Sequence, residues 1–100
     1  MSGEKKYRNA FSLAEALQQW LADSGLAREH AVHRIHREWT QIVGPALARQ
    51  TRQLRYEQGV LTVEVESAAW RHELTLARER LRDTINTYLD IPLVQEIKVR

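Results

Sequence analysis

Residues 54–65 read Leu-Arg-Tyr-Glu-Gln-Gly-Val-Leu-Thr-Val-Glu-Val, and apolar and polar side chains alternate along both halves of this stretch. Alternation with a period of two is typical of a β-strand with one buried face. Gln58 and Gly59 separate the halves and suit a two-residue turn. With that turn, Tyr56 lies opposite Leu61, and the apolar side chains of both strands share one face. The stretch therefore predicts a β-hairpin.

Helical periodicity precedes and follows the hairpin. Apolar residues recur at spacings of three and four on either side of it, and a last alternating stretch closes the chain. Gly44 and Pro45 end one helical pattern, because proline cannot donate the next backbone hydrogen bond. The predicted elements are helices over residues 11–24 and about 27–43, a short extra turn at 46–50, the longest helix from the N-cap Ser67 to Asp90, and a strand over 93–100.

The order α-α-β-β-α-β predicts the fold class. Three strands with one apolar face need a cover, and three amphipathic helices supply it. In a chain of 100 residues with 43% apolar side chains, one small core is expected. We predict an α+β two-layer sandwich whose three-stranded sheet is covered by helices on one face. Residues 11–100 should form a single domain, and residues 1–10 a flexible basic arm.

The same periodicity places individual side chains. Trp20, Trp39 and Trp70 lie on apolar helical stripes, which favours core positions over base-stacking platforms. Val60 and Val94 fall among the polar side chains of their strands. We therefore expect both valines on the open face of the sheet, which carries no aromatic residue.

Enzymatic and metal chemistry find little support. The chain has no cysteine, which excludes disulfides and thiolate sites. It carries neither a Gly-rich phosphate loop nor a recognisable nucleophile motif. Glu64 and Glu66 fit a solvated strand face, and the spacing of His30, His33 and His36 drifts around a helix instead of converging on one ion. We expect no enzymatic activity, no cofactor, no metal and no small-molecule substrate.

No apolar run approaches the length of a membrane span. About 20 consecutive apolar residues would be needed, and no hydrophobic signal region follows the first residues. We therefore expect a cytoplasmic protein with no membrane partner.

The net charge of +2 conceals a segregation along the chain. Residues 28–55 hold six arginines against two glutamates, a net charge of +4, whereas residues 56–73 have a net charge of −3. A local cationic surface attracts nucleic acid even when the total charge is small. Charged helix faces that are only solvated remain the alternative.

The arginines fall into two groups by helical position. One lies away from the apolar stripe of the second helix and continues into the hairpin, and the other follows one flank of the third helix. Arginine suits bidentate contacts with phosphate. The predicted nucleic-acid-binding residues are Arg34, Arg37, Arg49, Arg52 and Arg55, the second-row residues Arg71, Arg78 and Arg82, and Lys5, Lys6 and Arg8 of the arm.

Three short motifs resemble the DciA family. They are Trp39-Thr40-Gln41-Ile42-Val43-Gly44, the strand that starts at Gly59-Val60-Leu61, and Ser67-Ala68-Ala69-Trp70-Arg71-His72-Glu73-Leu74. The resemblance covers about residues 11–100. The motif positions Trp39, Gly44, Gly59, Trp70 and Leu74 read as core and turn positions, so they bear on the fold more than on a binding site.

The resemblance implies a KH-like module that binds DNA or RNA and helps to load the ring-shaped replicative helicase of bacteria. It implies single-stranded or forked DNA, or RNA, and that helicase as partners, and a place at the nucleoid. The Gly-x-x-Gly loop by which many KH domains clamp a nucleic-acid backbone is absent, so another surface is expected to bind. Two alternatives stay open: a KH-like RNA-binding protein, and a protein adaptor that uses the open sheet face, Leu76 and the arm.

Overall fold

The computed structural model describes residues 13–17, 20 and 25–100. By its internal contacts the chain divides into residues 1–30 and residues 31–100. In the first unit, residues 13–17 and Trp20 are helical. Trp20 is 57% exposed, and every buried core residue among those described lies in the second unit. The core position predicted for Trp20 was wrong; the single domain over residues 11–100 stays a prediction.

The helices and strands follow the predicted order, with two additional bends. In chain order they are α1 (Leu26–Arg37), α2 (Trp39–Val43), α3 (Pro45–Gln50), β1 (Thr51–Glu57), β2 (Val60–Val65), α4 (Ala68–Leu76), α5 (Arg78–Leu89) and β3 (Glu96–Val99). The extra turn predicted at residues 46–50 is the helix α3, and proline occupies its first position, where a missing N–H costs nothing.

Two predicted helices each consist of two segments. Glu38 separates α1 from α2 with φ −112° and ψ 19°, and Ala77 separates α4 from α5 with φ −103° and ψ 16°. Backbone hydrogen bonds nevertheless run through both positions. The Glu38 N–H donates to the Arg34 carbonyl, and the Ala77 N–H is shared between the carbonyls of Glu73 and Leu74. Each junction is therefore a bend in a continuing helix.

The hairpin forms as predicted. β1 and β2 pair antiparallel with Tyr56 opposite Leu61. Gln58 and Gly59 have φ of 49° and 84°, which matches a two-residue turn with two left-handed positions. β3 then adds to β2 in parallel, so the sheet order is β1-β2-β3.

One face of this sheet carries the core. Leu61, Val63 and Val65 of β2 are buried, as is Ile97 of β3. They pack in one cluster with buried side chains of the helices, including Trp39. The helices therefore cover one sheet face, and the predicted α+β two-layer sandwich is confirmed.

Val94 departs from the predicted pattern. It is 2% exposed, so its predicted place on the open sheet face was wrong. β3 begins only at Glu96, and Val94 is held instead by Asn86 of α5. The Asn86 amide nitrogen donates to the Val94 carbonyl at 2.8 Å, and the Val94 N–H donates to Asn86 Oδ1 at 2.8 Å. This pair satisfies both backbone groups while the side chain is buried.

The remaining apolar side chains singled out in the sequence differ in how far they are exposed. Trp39 is buried, Trp70 is half-buried against the core, and Leu76 is 73% exposed. Val60 is half-buried on its strand. Within the described part of the chain, no helix has the length and apolar character to cross a membrane.

Candidate nucleic-acid interface

The predicted binding residues divide by whether a carboxylate lies beside them. Lys5, Lys6 and Arg8 fall outside the described residues. Three ion pairs occur in the part of the chain that the structure describes: Arg34 with Glu38, Arg37 with Glu38, and Arg82 with Asp83. The charges of these three arginines are thereby partly compensated within the protein.

Arg34 has the most extensive internal contacts. Its Nε donates to Glu38 Oε2 at 2.9 Å, and its guanidinium lies over the ring of Tyr88 with Cζ 5.3 Å from the centroid. The Tyr88 hydroxyl donates to Glu38 Oε1 at 2.8 Å. These hydrogen bonds from Arg34 and Tyr88 lower the pKa of Glu38 to about 2. The hydrogen bond with Glu38 raises the pKa of Arg34 and also that of Tyr88.

The other five predicted arginines have no carboxylate within ion-pair distance among the described residues. Two of them are oriented by carbonyls: Arg71 donates to Val65 O at 3.4 Å and Arg78 to Thr75 O at 3.1 Å. Such bonds direct the guanidinium and leave its charge uncompensated. The five arginines are Arg49, Arg52, Arg55, Arg71 and Arg78, and all are exposed.

A β-bulge accounts for the exposure of Arg52. The pairing of β1 with β2 shifts between Thr51 and Gln53, and Arg52 is the unpaired residue between them. Strict alternation would put Arg52 on the same face as Leu54, which packs against the core. A bulge releases its extra residue from that alternation. Arg52 is therefore exposed, as are Arg49 of α3 and Arg55 of β1.

A cleft lies between the beginning of α5 and β3. It has a volume of about 190 Å³ and brings Arg78 and Arg82 together, two residues that the sequence assigned to one helix flank. The remaining lining residues are Glu79, Gln95, Glu96 and Ile97. Two arginines thus face two glutamates, and the cleft has no excess of positive charge.

A second concave surface lies on the open face of the sheet. Arg55, Thr62 and Arg100 line both of its hollows, the larger of which has a volume of about 250 Å³. Lys98 also lines the larger hollow. The sequence prediction assigned Arg55 to binding but missed Lys98 and Arg100. The alternation of the last strand predicts that both side chains point outward. The sequence does not show which strand pairs with the last one, so it could not place them across the sheet from Arg55.

The motif residues of the sequence occupy structural positions. Trp39 is buried, and its indole N–H donates to Thr51 Oγ1 at 3.0 Å, whose hydroxyl donates to the Leu47 carbonyl at 2.8 Å. Gly44 has φ 89° at the junction of α2 and α3. Gly59 has φ 84° in the hairpin turn, Leu74 is buried and Trp70 is half-buried. All five motif positions therefore lie in the core or at turns.

The histidines do not converge. His36 lies with Nδ1 3.1 Å from the Val32 carbonyl and Nε2 3.2 Å from the Leu54 carbonyl, so it joins α1 to β1. His30 and His33 are exposed. Over the described ranges, no three histidine or carboxylate side chains are grouped closely enough to hold a metal ion.

Comparison with known proteins adds a family match. The family model described as "Dna[CI] antecedent, DciA" matches residues 12–99. A UPF0232 protein of Bifidobacterium longum is 34% identical over 80 residues, which cover 80% of this chain and 47% of that protein. A UPF0232 protein of Streptomyces avermitilis is 33% identical over 95 residues, which cover 93% of this chain and 52% of that protein. The chain thus spans about half the length of the curated relatives it matches.

Proposed function

The chain belongs to the DciA family, a family associated with helicase loading, and from this premise we propose that it is a non-enzymatic module that binds nucleic acid and assists the bacterial replicative helicase. Its proposed ligand is single-stranded or forked DNA, and its proposed place is the cytoplasm at the nucleoid. The absence of a Gly-x-x-Gly loop makes the arginines the groups that would contact the phosphates.

One observation carries the nucleic-acid part of this proposal. Five of the predicted arginines are exposed and form no ion pair within the described residues, although the chain contains 13 acidic residues. Arginines without internal ion pairs keep their full charge for an external anion. The two non-bridging oxygens of a phosphodiester can accept a bidentate pair of hydrogen bonds from the guanidinium fork. Arg49, Arg52, Arg55, Arg71 and Arg78 are therefore the proposed contacts.

The role at the helicase is drawn from the family. A module that contacts DNA and helicase together would use a different surface for each. The exposed Leu76 at the bend between α4 and α5 is a large apolar side chain. It favours a protein contact there, and it is the specific observation behind the alternative of an adaptor that binds protein alone.

A DNA-binding titration tests the proposal. A labelled oligothymidylate is titrated with the protein at several salt concentrations, and the dissociation constant is expected to rise steeply with salt, because each phosphate contact releases counterions. Arg52→Glu should weaken binding about 5-fold to 10-fold and reduce the salt slope by about one. Arg80→Glu is the matched control, since Arg80 is also an exposed arginine but belongs to neither group of predicted binding residues.

The same titration separates the alternatives. Tighter binding of the RNA strand of equal sequence would favour an RNA-binding protein. A salt slope near zero, together with nuclease-resistant capture of the replicative helicase that Leu76→Ser abolishes, would favour the protein adaptor and contradict the nucleic-acid part.

A further inference from the structure

The open face of the sheet has a regular arrangement of side chains. The pairing of β1 with β2 sets Arg55 opposite Thr62, and the pairing of β2 with β3 sets Thr62 beside Lys98. These three residues therefore form one row straight across the sheet. The two outer strands lie roughly 10 Å apart, twice the spacing of neighbouring strands. Arg100 lies two residues beyond Lys98, just after the end of β3, and its N–H donates to the Val63 carbonyl of β2, so it continues the strand and points to the same face roughly 7 Å further along.

Side-chain length gives this face its concave shape. Val60 and Thr62 in the central strand are short and half-buried, whereas the arginines and the lysine on the outer strands are long and exposed. Long side chains on both flanks of a short central row leave a trough, and both hollows of the sheet face lie along it.

The two hollows of the trough together have a net charge of +1, because three cations, Arg55, Lys98 and Arg100, face two carboxylates, Glu57 and Glu64. The larger hollow holds all three cations against the single carboxylate of Glu57. The smaller hollow holds Arg55 and Arg100 against Glu64. None of these three cations lies within ion-pair distance of a carboxylate on any residue the structure describes. By contrast, the cleft between α5 and β3 has as many glutamates as arginines.

The face also lacks rings on which bases could stack. Across the outward-facing residues of all three strands there is no aromatic side chain, so bases have no ring on which to stack. What the trough offers is cations on two sides and the Thr62 hydroxyl in the middle. This set favours contact with an anionic backbone over stacking of the bases attached to it.

We propose that the open sheet face is a binding site for the phosphodiester backbone of a single nucleic-acid strand, which lies in the trough between Arg55 on one side and Lys98 and Arg100 on the other. This site rests on the proposed function and gives it a location. It adds Lys98 and Arg100 to the contacts and separates them from the arginines of α4 and α5. Binding in the trough is independent of sequence and depends strongly on salt.

Lys98→Glu is the sharpest test, because Lys98 belongs to the trough alone. The full chain is titrated with a labelled oligothymidylate of about twelve nucleotides. Lys98→Glu is expected to weaken binding about 5-fold to 10-fold and to lower the salt slope by about one. Arg80→Glu makes the same change in net charge outside the trough, and it should alter affinity less than 2-fold at each salt concentration. Glu57→Gln removes the carboxylate of the larger hollow and should strengthen binding.

An abasic strand of equal length tests the mode of contact. Stacking contributes about 1–3 kcal/mol per base, so a stacked strand would lose well over 5-fold in affinity without its bases. The trough predicts a loss of less than 2-fold. A larger loss would contradict backbone recognition. If Lys98→Glu weakens a blunt duplex as strongly as the single strand, the trough does not select a single strand.

The outcomes distinguish this site from the proposed function. If Arg52→Glu and Arg78→Glu weaken binding but Lys98→Glu matches the Arg80→Glu control, the chain binds nucleic acid elsewhere and the trough site is wrong. If the wild-type chain binds no strand at low salt, the proposed function fails as well. Amide NMR spectra record that the Lys98→Glu chain is folded, so a loss of binding is not mistaken for unfolding.

Discussion

The guanidinium of Arg34 lies over the ring of Tyr88, with Cζ 5.3 Å from the ring centroid, and both side chains bind the carboxylate of Glu38. Arg34 is on α1, Glu38 is at the bend before α2, and Tyr88 is near the end of α5. The three groups therefore join the bent helix α1–α2 to α5 through charge-assisted hydrogen bonds at its surface. Glu38 retains only 19% exposure of its side chain and Arg34 28%.

Acid should remove the contribution of this cluster to stability. The folded chain holds the pKa of Glu38 at about 2, below its ordinary value of 4.5, chiefly through the hydrogen bond from Arg34. A depressed pKa stabilises the folded state above pH 4.5, and that stabilisation is lost as the pH falls toward 2. We expect Glu38→Gln to lower Tm at pH 6, and the difference from wild type to shrink between pH 4.5 and pH 2.

Thermal unfolding followed by circular dichroism across this pH range measures the effect. Glu73→Gln is the control, because Glu73 is an exposed glutamate of α4 that takes part in none of the three ion pairs. A Glu38→Gln deficit that stays constant from pH 6 to pH 2 would show that the carboxylate charge is not what stabilises the cluster.

Thr51 should stabilise the fold through Trp39. Its hydroxyl accepts the indole N–H of the buried Trp39 and donates to the Leu47 carbonyl. Thr51→Val keeps the β-branched shape and leaves the indole N–H without its partner, which costs about 1–3 kcal/mol. Urea unfolding measures the loss. Thr84→Val on the exposed side of α5 should change stability by less than about 0.5 kcal/mol; equal effects of the two substitutions would contradict a role for the hydrogen bond.

Asn86 should hold the segment that leads into β3. Its amide satisfies both the N–H and the C=O of Val94, which is buried. Asn86→Ala leaves both backbone groups unpaired, and we expect a loss of about 2–4 kcal/mol in the free energy of unfolding. Hydrogen exchange at the Val94 amide should accelerate more than exchange in the hairpin. Thr87→Ala at the neighbouring exposed position is the control. Unchanged hydrogen exchange at the Val94 amide in the Asn86→Ala chain would contradict the role of Asn86 in holding this segment.

Local patterns account for what the sequence could predict. The hairpin depends on a period of two and a two-residue turn, both of which are readable in residues 54–65, and the Ser67 cap forms as expected with its Oγ accepting the Trp70 N–H. The bends at Glu38 and Ala77 were not readable, because the apolar stripes continue through them. At the first bend, Glu38 accepts a hydrogen bond from Tyr88, a residue fifty positions away whose proximity the local sequence does not show.

In the candidate site, too, some features were predictable from the local sequence and others were not. Alternation along the last strand directs Lys98 outward, and this was predictable from the residues alone. That Lys98 shares a row with Arg55 follows only from the parallel pairing of β3 with β2 and the antiparallel pairing of β2 with β1. Neighbouring charges across a sheet depend on strand order and register, which the local sequence does not specify.

Substitutions of Arg34 and Arg52 should have different effects, one on thermal stability and the other on DNA affinity. Both were predicted to contact nucleic acid, but Arg34 is bound to Glu38 and Tyr88, whereas Arg52, at the bulge of β1, forms no ion pair with any residue that the structure describes. We expect Arg34→Gln to lower Tm and to change DNA affinity less than 2-fold when measured well below Tm. Arg52→Gln should leave Tm unchanged and weaken DNA binding about 3-fold to 5-fold, the effect of one lost phosphate contact. Anisotropy titrations and thermal unfolding on the same preparations measure both quantities. If Arg34→Gln weakens DNA binding as much as Arg52→Gln does, Arg34 contacts the phosphates despite its contacts with Glu38 and Tyr88. The helix surface around Arg34 would then belong to the interface.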